Sequence, residues 1–312
     1  MAQSSSAIAL RIGSRGSPLA LVQANEVRRR LAAVGGLSVD AIEIKIIRTT
    51  GDIMVDRPLA DAGGKGLFTK EIEDALVSGH IDLAVHSSKD MPTVLPSALA
   101  LSAFLPREDA RDAFISHAAR TLGELPGAAR VGTASLRRQA LIKLSRPDLV
   151  VVPLRGNVET RLRKLEAGEV DATLLAVAGL KRLGLLSAAT SVFEIDEFLP
   201  AVGQGAIGIE TRADDAETCG LVAQVNDPET AIALAAERSF LAALDGSCRT
   251  PIAGHARVSD GLVRLRGMIA KPDGSEAFET SREGSSEDAA AIGADAGREL
   301  RRRAGADFFA RD

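Results

Sequence analysis

LVSGHIDLAV (residues 76–85) and LEAGEVDATLL (165–175) carry one pattern: a helix-ending leucine, a glycine three residues on, and an Ile-Asp or Val-Asp pair opening an apolar run. A glycine just past an apolar helix end is a C-cap signal, and a short apolar run after it reads as a buried strand. Any α/β unit can generate such a motif. Its recurrence at the same spacing is the sharper signal, and it predicts two similar α/β lobes, as in two-lobed anion-binding proteins.

The flanking segments extend the first lobe. Residues 8–13 form a short apolar run ending in Gly13, as a buried strand should. Ser17 before Pro18 predicts an N-cap with proline at the first helical position. Helical spacing then runs through Leu19, Val22, Val27 and Leu31 to the Gly35-Gly36 stop. Ile42, Ile44 and Ile46 alternate with polar neighbours and predict a second strand; 67–78 predicts a helix and 81–86 a strand. Between them, RTTGDIMVDRPLADAGGKG (48–66) has no periodicity and is expected to be a mobile active-site loop. Residues 105–130, with Pro106 and the charged stretch REDAR, are expected to form an interdomain crossover. A second alternating block covers 130 to about 200. From Asp227-Pro228 a helix runs through Leu244, followed by paired strands at 252–258 and 262–270 and a helix at roughly 286–304. That order suggests a small α+β domain.

Composition narrows the function classes. The 312 residues are 46% hydrophobic and 26% charged, a globular mixture long enough for two or three domains. A formal charge of −4, with no Trp and no Tyr, argues against a nucleic-acid binder, which would show a basic excess and stacking rings. No apolar run reaches the roughly 18 residues of a membrane span. MAQSSSAIALRIGSRGS at the N-terminus lacks a secretory pattern, so a cytoplasmic protein is expected, and separately a monomer. Cys219 and Cys248 form no CxxC, and His80, His86, His117 and His255 are scattered, so neither a disulfide framework nor a metal centre is indicated.

Of 38 basic residues, 30 are Arg. A GC-rich genome accounts for number but not for placement. GTASLRRQA (132–140) sets Gly132, Thr133 and Ser135 at a strand-to-helix turn, a ready anion site. Arg137 and Arg138 then occupy the first helical turn, the wrong end for a cation unless an anion is bound there. PLRGNVETRLRKL (153–165) repeats the arrangement with Arg155, Asn157 as N-cap and Arg161. Arg182 follows the next strand, and Arg15 holds the matching place in the first lobe. Guanidinium forks gathered at strand ends suit a polyanionic ligand rich in carboxylates or phosphates.

VHSSKDMP (85–92) ends a strand with polar residues, where α/β folds place functional groups. His86, Ser87 and Asp90 do not make a hydrolase triad, because the GxSxG elbow is missing. GGKG (63–66) is no P-loop, because Gly66 follows Lys65. Cys248, in a Gly/Ser/Pro loop beside Arg249, is either an inert structural cysteine or a thiol activated by its cationic neighbour.

Eight collinear motifs together resemble the porphobilinogen deaminase (hydroxymethylbilane synthase) family of tetrapyrrole biosynthesis. They are SRGSPLALVQ (14–23), GGKGLFTKEIE (63–73), HSSKDMP (86–92), GTASLRRQA (132–140), LRGNVETRL (154–162), AVAGLKRLG (176–184), VGQGAIGIE (202–210) and GSCRTPIAGHA (246–256). Ser88 departs from an often apolar family position, and Ser247 from one where Gly is common. The resemblance implies an α/β fold with two periplasmic-binding-protein-like lobes and a small C-terminal α+β domain. Its boundaries would be 1–105 for lobe 1, completed by about 201–224, then 106–200 for lobe 2 and 225–312 for the cofactor-attachment domain.

The resemblance further implies a transferase of heme biosynthesis that deaminates four porphobilinogen molecules and joins them head to tail. A dipyrromethane cofactor would be bound to Cys248 by a thioether. Asp90 and Lys89 would be catalytic, and Ser87, Thr133, Ser135, Arg137, Arg138 and Arg155 would join them in holding the cofactor. Arg15, Ser17, Gln23, Phe68, Arg155, Arg161, Arg182 and Gln204 would bind substrate. No metal, nucleic acid or membrane partner is implied. A non-catalytic two-lobed anion-binding protein is the alternative reading, and it gives Cys248 no task.

Overall fold

The computed structural model describes residues 9–53, 67–246, 250–305 and Phe308. The expected loop therefore lies mostly outside the described residues, as does Cys248. The chain begins with β1 (Leu10–Ser14), α1 (Pro18–Gly35), β2 (Ile42–Ile46), α2 (Thr50–Ile53), α3 (Lys70–Val77), β3 (Leu83–Ser87) and β4 (Leu99–Phe104). It continues with β5 (Asp112–Ser116), β6 (Arg130–Gly132), α4 (Leu136–Ser145), β7 (Val150–Val152), α5 (Val158–Glu166), β8 (Ala172–Ala176), α6 (Val177–Arg182) and β9 (Ser191–Val192). Then come β10 (Ile207–Arg212), α7 (Ala216–Ala223) and α8 (Pro228–Ala243), and finally β11 (Ile252–Ser259), β12 (Leu262–Ala270), β13 (Ala277–Ser285) and α9 (Ala289–Ala304).

Two compact units result. The first takes 64–107 and 206–231 with the N-terminal residues; the second takes 108–205 and the C-terminal 232–312. The first unit holds a sheet of order β2-β1-β3-β10-β4, in which β1 runs parallel to β2 and β3 while β10 is antiparallel to both its neighbours. The second holds β7-β6-β8-β5-β9, with β6 parallel to β7 and β8 and β5 antiparallel on either side. One topology is therefore built twice, as the repeated motif predicts. In the first sheet the fourth strand, β10, follows all the strands of the second sheet, whereas in the second sheet the fourth strand, β5, precedes the other four within one continuous segment.

Each sheet is covered on both faces, as parallel strands require. In the first unit Ile12, Val27, Leu31, Leu83, Ile209 and Val222 form one core, and Ile72, Leu76, Ile81, Ala84 and Leu99 form another. In the second, Phe114, Val131, Ile142 and Leu174 belong to one core and Ile115, Leu154, Leu165 and Leu180 to its counterpart. The C-terminal residues form an antiparallel sheet of order β11-β12-β13. Phe240 and Leu300, from α8 and α9, pack with its Val263, Leu265 and Ile269. Ala253, Met268 and Ala270 join the Phe114 core.

Local chemistry explains where the elements start. Ser17 is extended (φ −70°, ψ 149°), and its hydroxyl accepts the Ala20 N–H at 3.3 Å, with Pro18 at the first helical position. Asn157 Oδ1 accepts the Thr160 N–H at 2.8 Å to start α5. The expected crossover at 105–130 contains the fully buried strand β5, which a reading dominated by the charged REDAR stretch passes over. The C-terminal sheet has a third strand, β13, half of whose residues are polar and hide its alternation. In the expected loop, Thr50–Ile53 form a helical turn.

Candidate active site

The first unit gathers candidates at the carboxyl ends of β1 and β3, where open α/β sheets bind ligands. Gln23, on the second turn of α1, is buried, and its amide faces the Ser87 hydroxyl at 3.0 Å from Nε2 and 3.1 Å from Oε1. Beyond Ser87 the chain makes a single 3-10 turn, Ser88–Asp90. Ser88 N–H donates to Ala206 O at 3.0 Å and Met91 N–H to Ser88 O at 3.2 Å, fixing Lys89 and Asp90 between them. Below the turn, His86 Nε2 lies 3.1 Å from Glu210 Oε2, tying β3 to β10 with both side chains buried. Lys89 and Asp90 are half-buried. Among the described residues, nothing bonds to the Asp90 carboxylate.

Arg15 follows β1. Its Nε lies 3.0 Å from Asp52 Oδ1, its Nη2 bonds the same carboxylate, and its Cζ sits 4.4 Å from the centre of the Phe68 ring. Burial alone would raise the Asp52 carboxyl, but Arg15 and two hydrogen bonds from Thr49 hold it below the usual carboxylate range. Ser17 serves as the α1 cap beside this pair.

The second unit repeats the placement after β6, β7 and β8. Thr133 is buried; its N–H donates to Val152 O at 2.9 Å, and its hydroxyl oxygen accepts the Ser135 N–H at 3.2 Å. Ser135 in turn caps α4, accepting the Arg138 N–H at 3.4 Å. Both hydroxyls use their oxygens this way and keep their protons to donate. Arg155 is half-buried after β7, Arg161 Nε donates to Gly156 O at 2.9 Å, and Arg182 Nη2 donates to Gly205 O at 2.9 Å. Gly205 has φ +90°, and a Cβ there would meet Glu108 O at 2.3 Å, so only glycine fits.

Arg137 and Arg138 hold an anion, as their position at the helix start implies, but it is the chain's own Asp112. Arg137 Nη2 reaches Asp112 Oδ2 at 2.7 Å, and Arg138 Nη2 reaches Oδ1 at 2.6 Å. Their remaining Nη1 groups donate to Leu199 O and Leu174 O, each at 2.8 Å. Gln204 Nε2 adds a 3.1 Å bond to Asp112 Oδ1 and a 2.7 Å bond to Ala110 O. Burial pushes the Asp112 carboxyl up, yet the two guanidiniums outweigh it and hold the group far below its ordinary range. Burial lowers Arg137 in the same way, with Asp112 opposing.

Two guanidiniums against one carboxylate leave one positive charge in excess, and the buried Arg137 Nε has no acceptor. Sequence reasoning missed Asp52 and Asp112 because both partners are distant in the chain; REDARDAF (107–114) is the one local hint of the latter. Among the described residues no three His, Cys, Asp or Glu are grouped to hold a metal ion, and no helix is long and apolar enough to cross a membrane.

Ser88 gives a first prediction. Its hydroxyl is buried without a partner, and a Cβ on Gly208 would stand 3.2 Å from it. An unsatisfied buried hydroxyl costs about 1–3 kcal/mol. Ser88→Ala is therefore expected to raise the calorimetric melting midpoint by about 2–4 °C for each kcal/mol recovered; an unchanged or lower midpoint would show that the hydroxyl is satisfied.

Comparison with known proteins gives the family. The family model "Porphobilinogen deaminase, dipyromethane cofactor binding domain" matches residues 10–220, and "Porphobilinogen deaminase, C-terminal domain" matches 231–302. The porphobilinogen deaminase of Nitrobacter winogradskyi is 64% identical over 298 residues, covering 96% of this chain and 94% of that protein. That of Paracoccus denitrificans is 57% identical over 300 residues, covering 96% of each. A putative methionine-binding lipoprotein from Bacillus subtilis matches at a TM-score of 0.44 and 12% identity, covering 69% of this chain and 89% of that one. By its sequence along nearly its whole length, the chain belongs to the porphobilinogen deaminase family.

Proposed function

We propose that Asp90 is the reacting carboxylate of this chain and that Cys248 carries its dipyrromethane primer as a thioether. The family activity joins four porphobilinogen molecules head to tail into hydroxymethylbilane, and that sets the chemistry. The observation that carries the reading is the state of Asp90: half-buried at the end of β3, fixed by a tight turn, and bonded to no other described residue. A carboxylate so placed is available to a pyrrole N–H. When bound, the cofactor supplies the pyrrole carbon to which the first substrate is joined.

The protein's part follows from charge. As ammonia leaves the substrate, positive charge spreads to the pyrrole nitrogen, and a fixed anion there stabilises charge where it develops. Asp90 fills that place and takes the proton released on coupling, while Lys89 offers its ammonium to a ligand acid. Each ring brings an acetate and a propionate. Thr133, Ser135, Arg137 and Arg138 hold the cofactor's acids, the excess positive charge at Asp112 being what a carboxylate neutralises. Arg15, Gln23 and Ser87 bind substrate acids or their neighbours, Phe68 gives a ring an apolar wall, and Arg155, Arg161 and Arg182 serve the growing chain. Ser17 and Gln204 act by holding their neighbours in place.

The same reading assigns three domains, with boundaries near 105, 200 and 225, and a monomer working in the cytoplasm; the three separate sheets support the domain division. Intact-mass spectrometry tests the cofactor assignment. The purified chain should exceed its 32.6 kDa by two deaminated porphobilinogen units and colour with an aldehyde reagent. Cys248→Ser should show the plain mass and no colour. Retention of both signals in that variant would move the attachment elsewhere.

A further inference from the structure

We propose that Asp52 is an internal competitor for Arg15: a carboxylate that occupies the guanidinium until a ligand carboxylate replaces it. The proposal deepens the assignment of Arg15 to substrate acids and rests on it. Asp52 takes one edge of the guanidinium, its Oδ1 and Oδ2 lying 3.0 and 3.3 Å from Nε, with Nη2 bonded to Oδ1. The Phe68 ring covers a face, with Cζ 4.4 Å from its centroid. A ligand acid that needs a two-point grip on the Nε–Nη2 edge must therefore displace Asp52.

The carboxylate is built into place. Thr49 Oγ1 donates to its Oδ2 at 2.9 Å, and Gly51 N–H donates to Leu67 O at 2.9 Å, pinning the 50–53 turn. A Cβ on Gly51 would stand 2.3 Å from the Phe68 ring, so the turn can seat against that ring only with glycine. The Arg15 and Asp52 side chains are 25% and 27% exposed, so a dissolved acid can reach them. A simple carboxylate exchanges one ion pair for another there and gains almost nothing. A pyrrole that also engages a ring wall and further cations gains the difference. Asp52 thus taxes every anion equally, and only a ligand with additional contacts binds well.

Steady-state kinetics on the full-length, cofactor-bound enzyme tests this, with sodium succinate as a dicarboxylate probe that lacks a pyrrole. Asp52→Asn keeps a hydrogen-bond acceptor and removes the charge. Its KM for porphobilinogen is expected to fall about fivefold, the scale of one partly exposed ion pair, and succinate should inhibit it more strongly than the unaltered enzyme. Asp52→Glu keeps the charge and should restore weak succinate inhibition. Glu26→Gln, at an exposed pair with Arg30, should leave KM unmoved. If Arg15→Leu leaves KM unchanged, the assignment of Arg15 fails and the proposal with it. If Arg15→Leu raises KM while Asp52→Asn leaves it unchanged or raises it, the proposal alone is overturned. Asp52→Ser, measured the same way, decides the matter if the amide perturbs the turn.

Discussion

Asp90→Asn should keep the fold and the bound cofactor and lose nearly all turnover. The substitution is isosteric, and it breaks no bond to any described residue, because the Asp90 side chain makes none, so the melting midpoint should stay close to that of the unaltered protein. Its effect falls on charge. An amide can still accept a pyrrole N–H, but it carries no net charge to oppose the cation that forms as ammonia departs. Removing one preorganised stabilising group costs about a hundred- to a thousandfold in kcat, and here a full charge is lost. Ammonia release per enzyme in a single turnover isolates the step from product release. Near-normal turnover with an intact mass signature would remove Asp90 from the chemistry. Lost turnover together with a lost mass signature would place it in cofactor assembly instead.

The two lobes were legible because their chemistry is local. A helix stop, a turn and an apolar strand lie within eleven residues at 165–175, and the cap residues Ser17, Ser135 and Asn157 satisfy the helix starts that follow them. β5 and β13 were not legible, because their burial is decided by partners far along the chain: β8 and β9 for one, β12 for the other. The site shows the same division. Strand-end placement of Arg137 and Arg138 pointed to an anionic ligand at the start of α4, and the anion the structure sets there is the chain's own Asp112. Its identity as Asp112, 25 and 26 residues earlier, depends on how β5 enters its sheet. Arg15 is comparable, since Asp52 reaches it only through the 50–53 turn. Local pattern finds the cations, and long-range pairing decides which anion each one meets first.

That pairing has its largest consequence at Asp112, which is fully buried between two guanidiniums with side chains 4% and 6% exposed. Asp112→Asn leaves two buried positive charges facing a neutral amide. Breaking a buried pair from one side costs about 3–5 kcal/mol, because the surviving charge stays desolvated. With about 2–4 °C per kcal/mol for domains of 150–250 residues, the midpoint should fall by roughly 10 °C. The pH dependence has a definite sign. The Asp112 carboxyl is depressed in the folded state. Its contribution is therefore complete above the ordinary aspartate value of about 3.9 and is lost as pH falls toward the folded value. The midpoint of the unaltered protein should thus drop more steeply below about pH 4 than that of Asp112→Asn. Adding Arg138→Met to Asp112→Asn removes one of the stranded charges and should recover part of the loss. A double variant no better than the single would show that the damage comes from the lost Gln204, Leu174 and Leu199 geometry and not from uncompensated charge.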